Sequence, residues 1–239
     1  MKQRLDQAMV HRMLISSRSQ AESWIKLGRV KVDGKTITKP GFFVSEQAKV
    51  VIDAPNQYVS RAGLKLASVA STLRLNFKGK TVLDVGSSTG GFTDFALQHG
   101  AKHVVAIDVG TNQMHPKLRS DERIDLREKT DIREVFLDEE PDIIVIDVSF
   151  ISLREVLPHI AKYLAGNSTH IVAMVKPQFE AGRNQVSKGV IKNNKIRRDI
   201  LKDFEAWAKE YFIIQDKADS EVSGSRGNQE RFYLLKIIR

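Results

Sequence analysis

With 239 residues, 41% of them hydrophobic, the chain is long enough for one large domain or an ordinary domain beside a small one, and apolar enough to form a real core. Its formal net charge of +9 calls for a polyanionic partner, nucleic acid ahead of an acidic membrane surface. The lack of cysteine excludes disulfides, thiolate metal sites and cysteine nucleophiles and fits a reducing, cytoplasmic setting; no run reaches the roughly 18 apolar residues of a membrane span, and MKQRLDQAMV has no apolar signal-peptide core.

In chain order, QRLDQAMVHRMLIS places Leu5, Ala8, Met9 and Met13 at helical spacing. Ser17 and Gln20 then form a candidate capping box for a second short helix, which Gly28 stops. RVKV and KTIT flank Asp33-Gly34, a dipeptide suited to a two-residue hairpin turn, and KVVID supplies a further strand. Residues 1–54 hold ten Lys or Arg against five Asp or Glu, so this small α+β unit carries a disproportionate share of the positive charge. DAPNQYVS, around Pro55, reads as a linker over residues 55–60.

From residue 61 to 239 helical and strand patterns alternate. A helical RAGLKLASVASTL precedes TVLDV, GGFTDFALQHG, HVVAID, DIIVID, SLREVLPHIAKYLAG, HIVAMVK, NKIRRDILKDFEAWAKEY, FIIQD and RFYLLKII. Such alternation predicts an α/β domain, a Rossmann-like, mostly parallel sheet with helices on both faces. The stretch KADSEVSGSRGNQE has no helical pattern, so the last strand is expected to return antiparallel.

At the end of TVLDV, the turn Gly86-Ser87-Ser88-Thr89-Gly90-Gly91 runs into a helix that opens at Phe92. Dinucleotide pyrophosphate asks for GxGxxG, and Ser88 stands where the second glycine should be. A ligand with a ribose and an amino-acid tail but no pyrophosphate, S-adenosylmethionine, fits better. Asp108, at the end of the next strand, is placed to take both ribose hydroxyls. Asp84 could meet the ammonium of the amino-acid tail, directly or through water, and Asp131 in KTDIRE an adenine amino group. The competing reading is a corner whose glycines serve packing, with Asp108 a helix cap.

Two further strands end on charge: DIIVID on Asp147 and HIVAMVK on Lys176. In open parallel sheets the carboxyl ends of strands face the ligand, and a lysine beside an aspartate in a partly dry site can orient or deprotonate a hydroxyl. DVSF replaces the Asn or Asp followed by Pro-Pro-aromatic of amino-group methyltransferases, and methylation at pyrimidine carbon needs a cysteine. A hydroxyl acceptor remains.

Taken together, YVSRAGLKLASV, LDVGSSTGGFTD, AIDVGTNQM, IDVSFISL, VKPQFEAGR and GNQERFYLL make the chain resemble the TlyA-type proteins, within the FtsJ-like ribose 2′-O-methyltransferases. SRSQAESWIKLGRVKVDGK resembles the small RNA-binding domain first described in a small-subunit ribosomal protein. The resemblance implies a Lys-Asp-Lys-Glu set at Lys65, Asp147, Lys176 and Glu230, with Lys176 central, Asp147 holding it, and no metal required. It further implies ribosomal RNA or a ribosomal subunit as partner and a cytidine as target. Arg4, Arg12, Arg18, Lys26, Arg29 and Lys31 are the candidate phosphate contacts, and Arg29 and Lys31 alternate with Val30 and Val32, which leaves one hairpin face basic. A second basic segment, GRNQVSKGVIKNNKIRR, is expected to close over RNA. An RNA-binding factor with an inactive fold and a haemolysin, the label of some relatives, are the rival readings; the intact tetrad speaks against the first and the absence of a span against the second.

Overall fold

The apolar runs become strands and the amphipathic segments cover them in the computed structural model, which describes residues 2–15, 17–53, 58–182, 186, 189–191, 193–224 and 227–238. The chain opens with β1 (Lys2–Arg4), α1 (Leu5–His11), α2 (Arg18–Lys26), β2 (Val30–Val32), β3 (Lys35–Thr36), β4 (Phe43–Ser45) and β5 (Val50–Ile52). Leu5, Ala8 and Met9 are fully buried as their spacing predicts, but α1 stops before Met13, which is 92% exposed with φ +54°. The helix ends on the left-handed turn at Met13, where the Met13 and Leu14 amides donate to the Val10 and Met9 carbonyls at 2.9 Å, and the Arg12 side chain donates to the carbonyls of Ala48 (2.7 Å) and Ser45 (2.8 Å). Two three-residue strands were absent from the sequence reading: β1 pairs antiparallel with β4.

Ser17 caps α2 by accepting from the Gln20 amide at 3.2 Å. The Gln20 side chain spans to the rest of the molecule, donating to the Tyr58 carbonyl at 2.6 Å. Asp33 and Gly34 both have positive φ, as a two-residue hairpin turn matched to strand twist requires, and β2 pairs with both β3 and β5. Residues 54–57, including the first three of the linker, lie outside those described; Tyr58 is buried with its ring 5.4 Å from Phe95, and the Val59 amide donates to Asp94 at 2.7 Å.

The second part begins with α3 (Arg61–Ala70), β6 (Thr81–Val85), α4 (Gly91–Gln98), β7 (His103–Ile107), α5 (Pro116–Arg119) and β8 (Ile124–Arg127). It continues with β9 (Ile143–Ile146), α6 (Leu153–His159) extended by a π-helical turn over Ile160–Leu164, β10 (His170–Val175), α7 (Pro177–Glu180), α8 (Asn194–Ala208), β11 (Phe212–Asp219) and β12 (Arg231–Ile237). Seven strands form one sheet in the order β11-β12-β10-β9-β6-β7-β8. All pairings among β6 to β10 are parallel, and β12 alone runs antiparallel to its neighbours β10 and β11, so the expected α/β class and reversed ending both hold.

Residues alternate between the two faces of each strand, so a strand covered on both sides is apolar throughout. Ile143 and Val145 face the core shared with α3, α4 and the N-terminal unit, while Ile144 and Ile146 face the one shared with α6 and α8. Trp24 and Ile25 of α2 belong to the first core, which runs continuously into Leu66 and Phe95. Among the described residues no helix is long and apolar enough to cross a membrane. Residues 183–185, 187, 188 and 192 of the second basic segment lie outside those described, and with them half of the cations expected to close over RNA. The described Arg197 is an internal tie, donating to Gln229 and pairing with Asp219.

Candidate active site

Strand order reverses at β6, which lies between β7 and β9, and this switch point opens a crevice at the carboxyl ends of the strands. A cleft of about 560 Å³ occupies it, with Gly86, Ser88, Asp108, Asp131, Asp147 and Phe150 on its walls. That volume suits a nucleoside-sized ligand.

Asp147 and Lys176 each lie one residue beyond neighbouring parallel strands, β9 and β10; the register sets Lys176 two residues further along, level with Ser149, and its side chain meets Asp147, with Nζ 2.5 Å from Oδ1. β12 runs the other way and begins opposite the end of β10, with Arg231 facing Val175, which places Glu230 at the same edge. Lys65 reaches it from the first turns of α3, between the buried Leu64 and Leu66, and its Nζ is 2.5 Å from Glu230 Oε2. The structure therefore joins the four expected catalytic residues as two ion pairs. Both are largely withdrawn from water, and such charges persist only when paired.

Asp84 is buried beneath the turn. Thr93 donates its hydroxyl to Asp84 Oδ2 at 2.6 Å, and Oδ1 has no hydrogen-bond partner among the described residues. Burial, only partly offset by the Thr93 bond and reinforced by the charge of Asp147, pushes this carboxyl up to about 7. Asp108 is fixed by two backbone donors, Ser88 N at 2.8 Å and Gly110 N at 2.7 Å. Asp131 is already engaged by Arg133, whose hydrogen bond holds the carboxyl below its usual range.

At three glycines of the turn an added Cβ would meet neighbouring parts of the chain. A Cβ on Gly86 would sit 2.8 Å from the Asp147 carbonyl, so this glycine permits the close approach of the two loops that form the cleft. A Cβ on Gly90 would run into Met114 and Leu118, and one on Gly91 into Ser60 and to within 2.7 Å of Ala62. Their freedom serves the seating of α4 against α3 and α5. Thr89 is exposed, and Phe92 is a core residue 6.0 Å from the Phe232 ring; neither these two nor Gly90 and Gly91 line the cleft.

Ser149 and Phe150 have no role assigned from the sequence, where DVSF counts for the motif it lacks and as part of the family resemblance. Lys176 Nζ donates to Ser149 Oγ at 2.6 Å. Phe150 is 92% exposed at the cleft wall with φ +66°, an outlier for an aromatic residue, and its ring lies 5.3 Å from Phe179.

The six cations of the N-terminal unit do not act alike. Arg4 and Arg18 converge on the buried Asp6, at 2.8 and 2.9 Å, while Arg12 binds the carbonyls already named. Lys31 pairs with Asp53 at 2.6 Å. Lys26 and Arg29 are exposed, and Val30 and Val32 beside Arg29 are buried, as the hairpin alternation predicts.

A parallel sheet ending in one reversed strand, with a nucleoside-sized cleft and a fixed acid at its switch point, defines the S-adenosylmethionine-dependent methyltransferases. Residues 58–237 match the family model described as FtsJ-like methyltransferase and residues 3–50 that of the S4 domain, and the chain belongs to the FtsJ-like methyltransferase family. It is similar to the 16S/23S rRNA (cytidine-2'-O)-methyltransferase TlyA of Mycobacterium tuberculosis, 38% identical over 98% of this chain and 89% of that protein. It is equally similar to Hemolysin A of Brachyspira hyodysenteriae, 39% identical over 98% of this chain and 99% of that one. A solved structure of a hemolysin-named protein from Streptococcus thermophilus covers 99% of this chain and 88% of its own, with 36% identity and a TM-score of 0.73.

Proposed function

We propose that the chain methylates the 2′-hydroxyl of a cytidine in ribosomal RNA, using Lys65, Asp147, Lys176 and Glu230. The observation that carries this reading is the pair of shielded Lys–carboxylate contacts at the strand ends, one of which ties Lys176 to Asp147 on the cleft wall. The named activity of the M. tuberculosis relative supports the substrate class.

The cofactor fits the residues present: Asp108 offers a carboxylate already oriented by two amides, and Asp84 a buried oxygen in need of a donor. When bound, S-adenosylmethionine supplies an electrophilic methyl group. The protein's own task is to hold the acceptor hydroxyl and manage its proton. A ribose hydroxyl is a weak acid, and the Lys176 ammonium stabilises negative charge developing on its oxygen, while Asp147 keeps that ammonium in place. Lys65 and Glu230 brace the same edge. Phe150, exposed on the cleft wall on a strained backbone, offers an aromatic face to the base of the acceptor nucleotide.

Division of labour follows the two parts. Residues 1–54 dock on RNA, 55–60 join, and 61–239 do the chemistry, in keeping with the ranges of the two family models. Lys26 and Arg29 are the foremost phosphate contacts; Arg4, Arg18 and Lys31 reach phosphate while held by carboxylates, and Arg12 holds the fold. The test is nucleoside mass spectrometry of ribosomal RNA treated with the enzyme and cofactor. A gain of 2′-O-methylcytidine supports the reading, and a gain of a base-methylated nucleoside instead rejects it.

A further inference from the structure

The central lysine needs an orientation as well as a charge, and its ion pair does not provide one. Lys176 Nζ lies 2.5 Å from Asp147 Oδ1, yet that oxygen receives no aligned hydrogen bond among the described residues. A charge contact of this kind fixes distance while leaving the ammonium free to rotate about its carbon–nitrogen bond. The directional partner is Ser149, whose Oγ accepts from Nζ at 2.6 Å.

Resting on the 2′-hydroxyl reading above, we propose that Ser149 is a positioning residue for methyl transfer: by accepting one N–H of Lys176 it sets the ammonium's rotation, so that another N–H faces the acceptor hydroxyl. Three observations support this. First, Ser149 is exposed on the cleft wall while Val148 and Ile151 of the same loop pack against the core, so the serine itself has no packing role. Second, its loop is pinned at both ends. Asp147 N donates to the Val85 carbonyl at 2.9 Å, and the buried Glu180 accepts from Ser152 Oγ at 2.6 Å and Leu153 N at 2.7 Å. Third, the positive φ of Phe150, immediately after Ser149, is backbone strain that a loop without a task has no reason to store. The Phe179 ring, 6.0 Å from Nζ, completes the lysine's surroundings without offering an acceptor.

The test compares wild type, Ser149→Ala and Ser149→Thr on ribosomal subunits lacking the modification. A single hydrogen bond to a charged donor at a part-exposed site predicts a kcat for Ser149→Ala lower by roughly 3- to 10-fold. Cofactor affinity, KM for RNA and melting temperature should stay at wild-type values, and Ser149→Thr, which restores the hydroxyl, should recover most of the rate. A wild-type kcat for Ser149→Ala overturns the proposal, as does a loss that threonine fails to rescue. If wild type itself transfers no methyl group, the functional reading fails and a second measurement decides this one. The ammonium signal of Lys176, assigned by its disappearance in Lys176→Arg, should be resolved by nitrogen NMR in wild type and lost to rapid exchange in Ser149→Ala; an unchanged signal overturns the proposal.

Discussion

Removing one member of the Lys65–Glu230 pair should cost far more stability than removing both. The side chains are 9% and 3% exposed and their charges 2.5 Å apart. At an effective dielectric of 20 that separation corresponds to an attraction of about 7 kcal/mol, most of it spent against the desolvation of two ions. The net worth of the pair is therefore small, but Glu230→Gln leaves Lys65 as an uncompensated buried ammonium, at a cost of about 3–5 kcal/mol. Lys65→Met strands the carboxylate in the same way. The double variant Lys65→Met/Glu230→Leu replaces the pair by apolar side chains of similar length and should return to within about 1 kcal/mol of wild type while remaining catalytically impaired. Urea unfolding at neutral pH, read as midpoint and slope, measures all four proteins. Single variants that lose less than about 1 kcal/mol, or a double variant no more stable than its parents, would refute the reasoning, because either result means that water reaches the pair.

Other parts of the molecule give separate tests. Asp84 holds its proton to a higher pH in the folded chain than in the unfolded one, so its contribution is present below pH 4 and lost as pH rises toward 7; Asp84→Asn should flatten the urea stability profile between pH 5 and 8 by roughly 2–3 kcal/mol relative to wild type, and parallel profiles would reject the assignment. Arg12→Met should destabilise by about 1–3 kcal/mol through the loss of two carbonyl partners, whereas Arg29→Ala should leave unfolding unchanged and lower the salt dependence of RNA binding by about one phosphate contact. Gly91→Ala should push α3 off α4 at a cost of about 1–3 kcal/mol, because the added methyl meets Ser60 and Ala62; thermal unfolding reads it, and an unchanged melting temperature would show that α3 yields freely.

What could be read before any coordinates was whatever periodicity and strand ends reveal. Runs such as Ile143–Ile146 and His170–Val175 are apolar because both faces of their strands are covered, and Asp147 and Lys176 stand out by breaking those runs at the ligand end. Lys65 and Glu230 break no pattern. One sits on an amphipathic helix and the other precedes an edge-side strand, and only the antiparallel return of β12 makes them neighbours. The strands β1 and β4 are too short for a period-two signal to rise above chance. Gly90 and Gly91 look like a ligand cradle in the sequence because a glycine's missing side chain does not say which neighbour needs the space; that required the position of α3 and α5. Arg12 likewise reads as one more surface cation, since a guanidinium shows its commitment to backbone carbonyls only in three dimensions.

The most direct test of the central claim uses tritiated S-adenosylmethionine with purified small and large ribosomal subunits from a strain lacking this protein, wild type beside Lys176→Ala. Alkali needs a free 2′-hydroxyl to cleave RNA, so a ribose-methylated position survives hydrolysis as a dinucleotide. Label in an alkali-resistant dinucleotide that falls by about 100-fold or more with Lys176→Ala is the predicted result. Label released entirely in mononucleotides, or a Lys176→Ala variant as active as wild type, would contradict it.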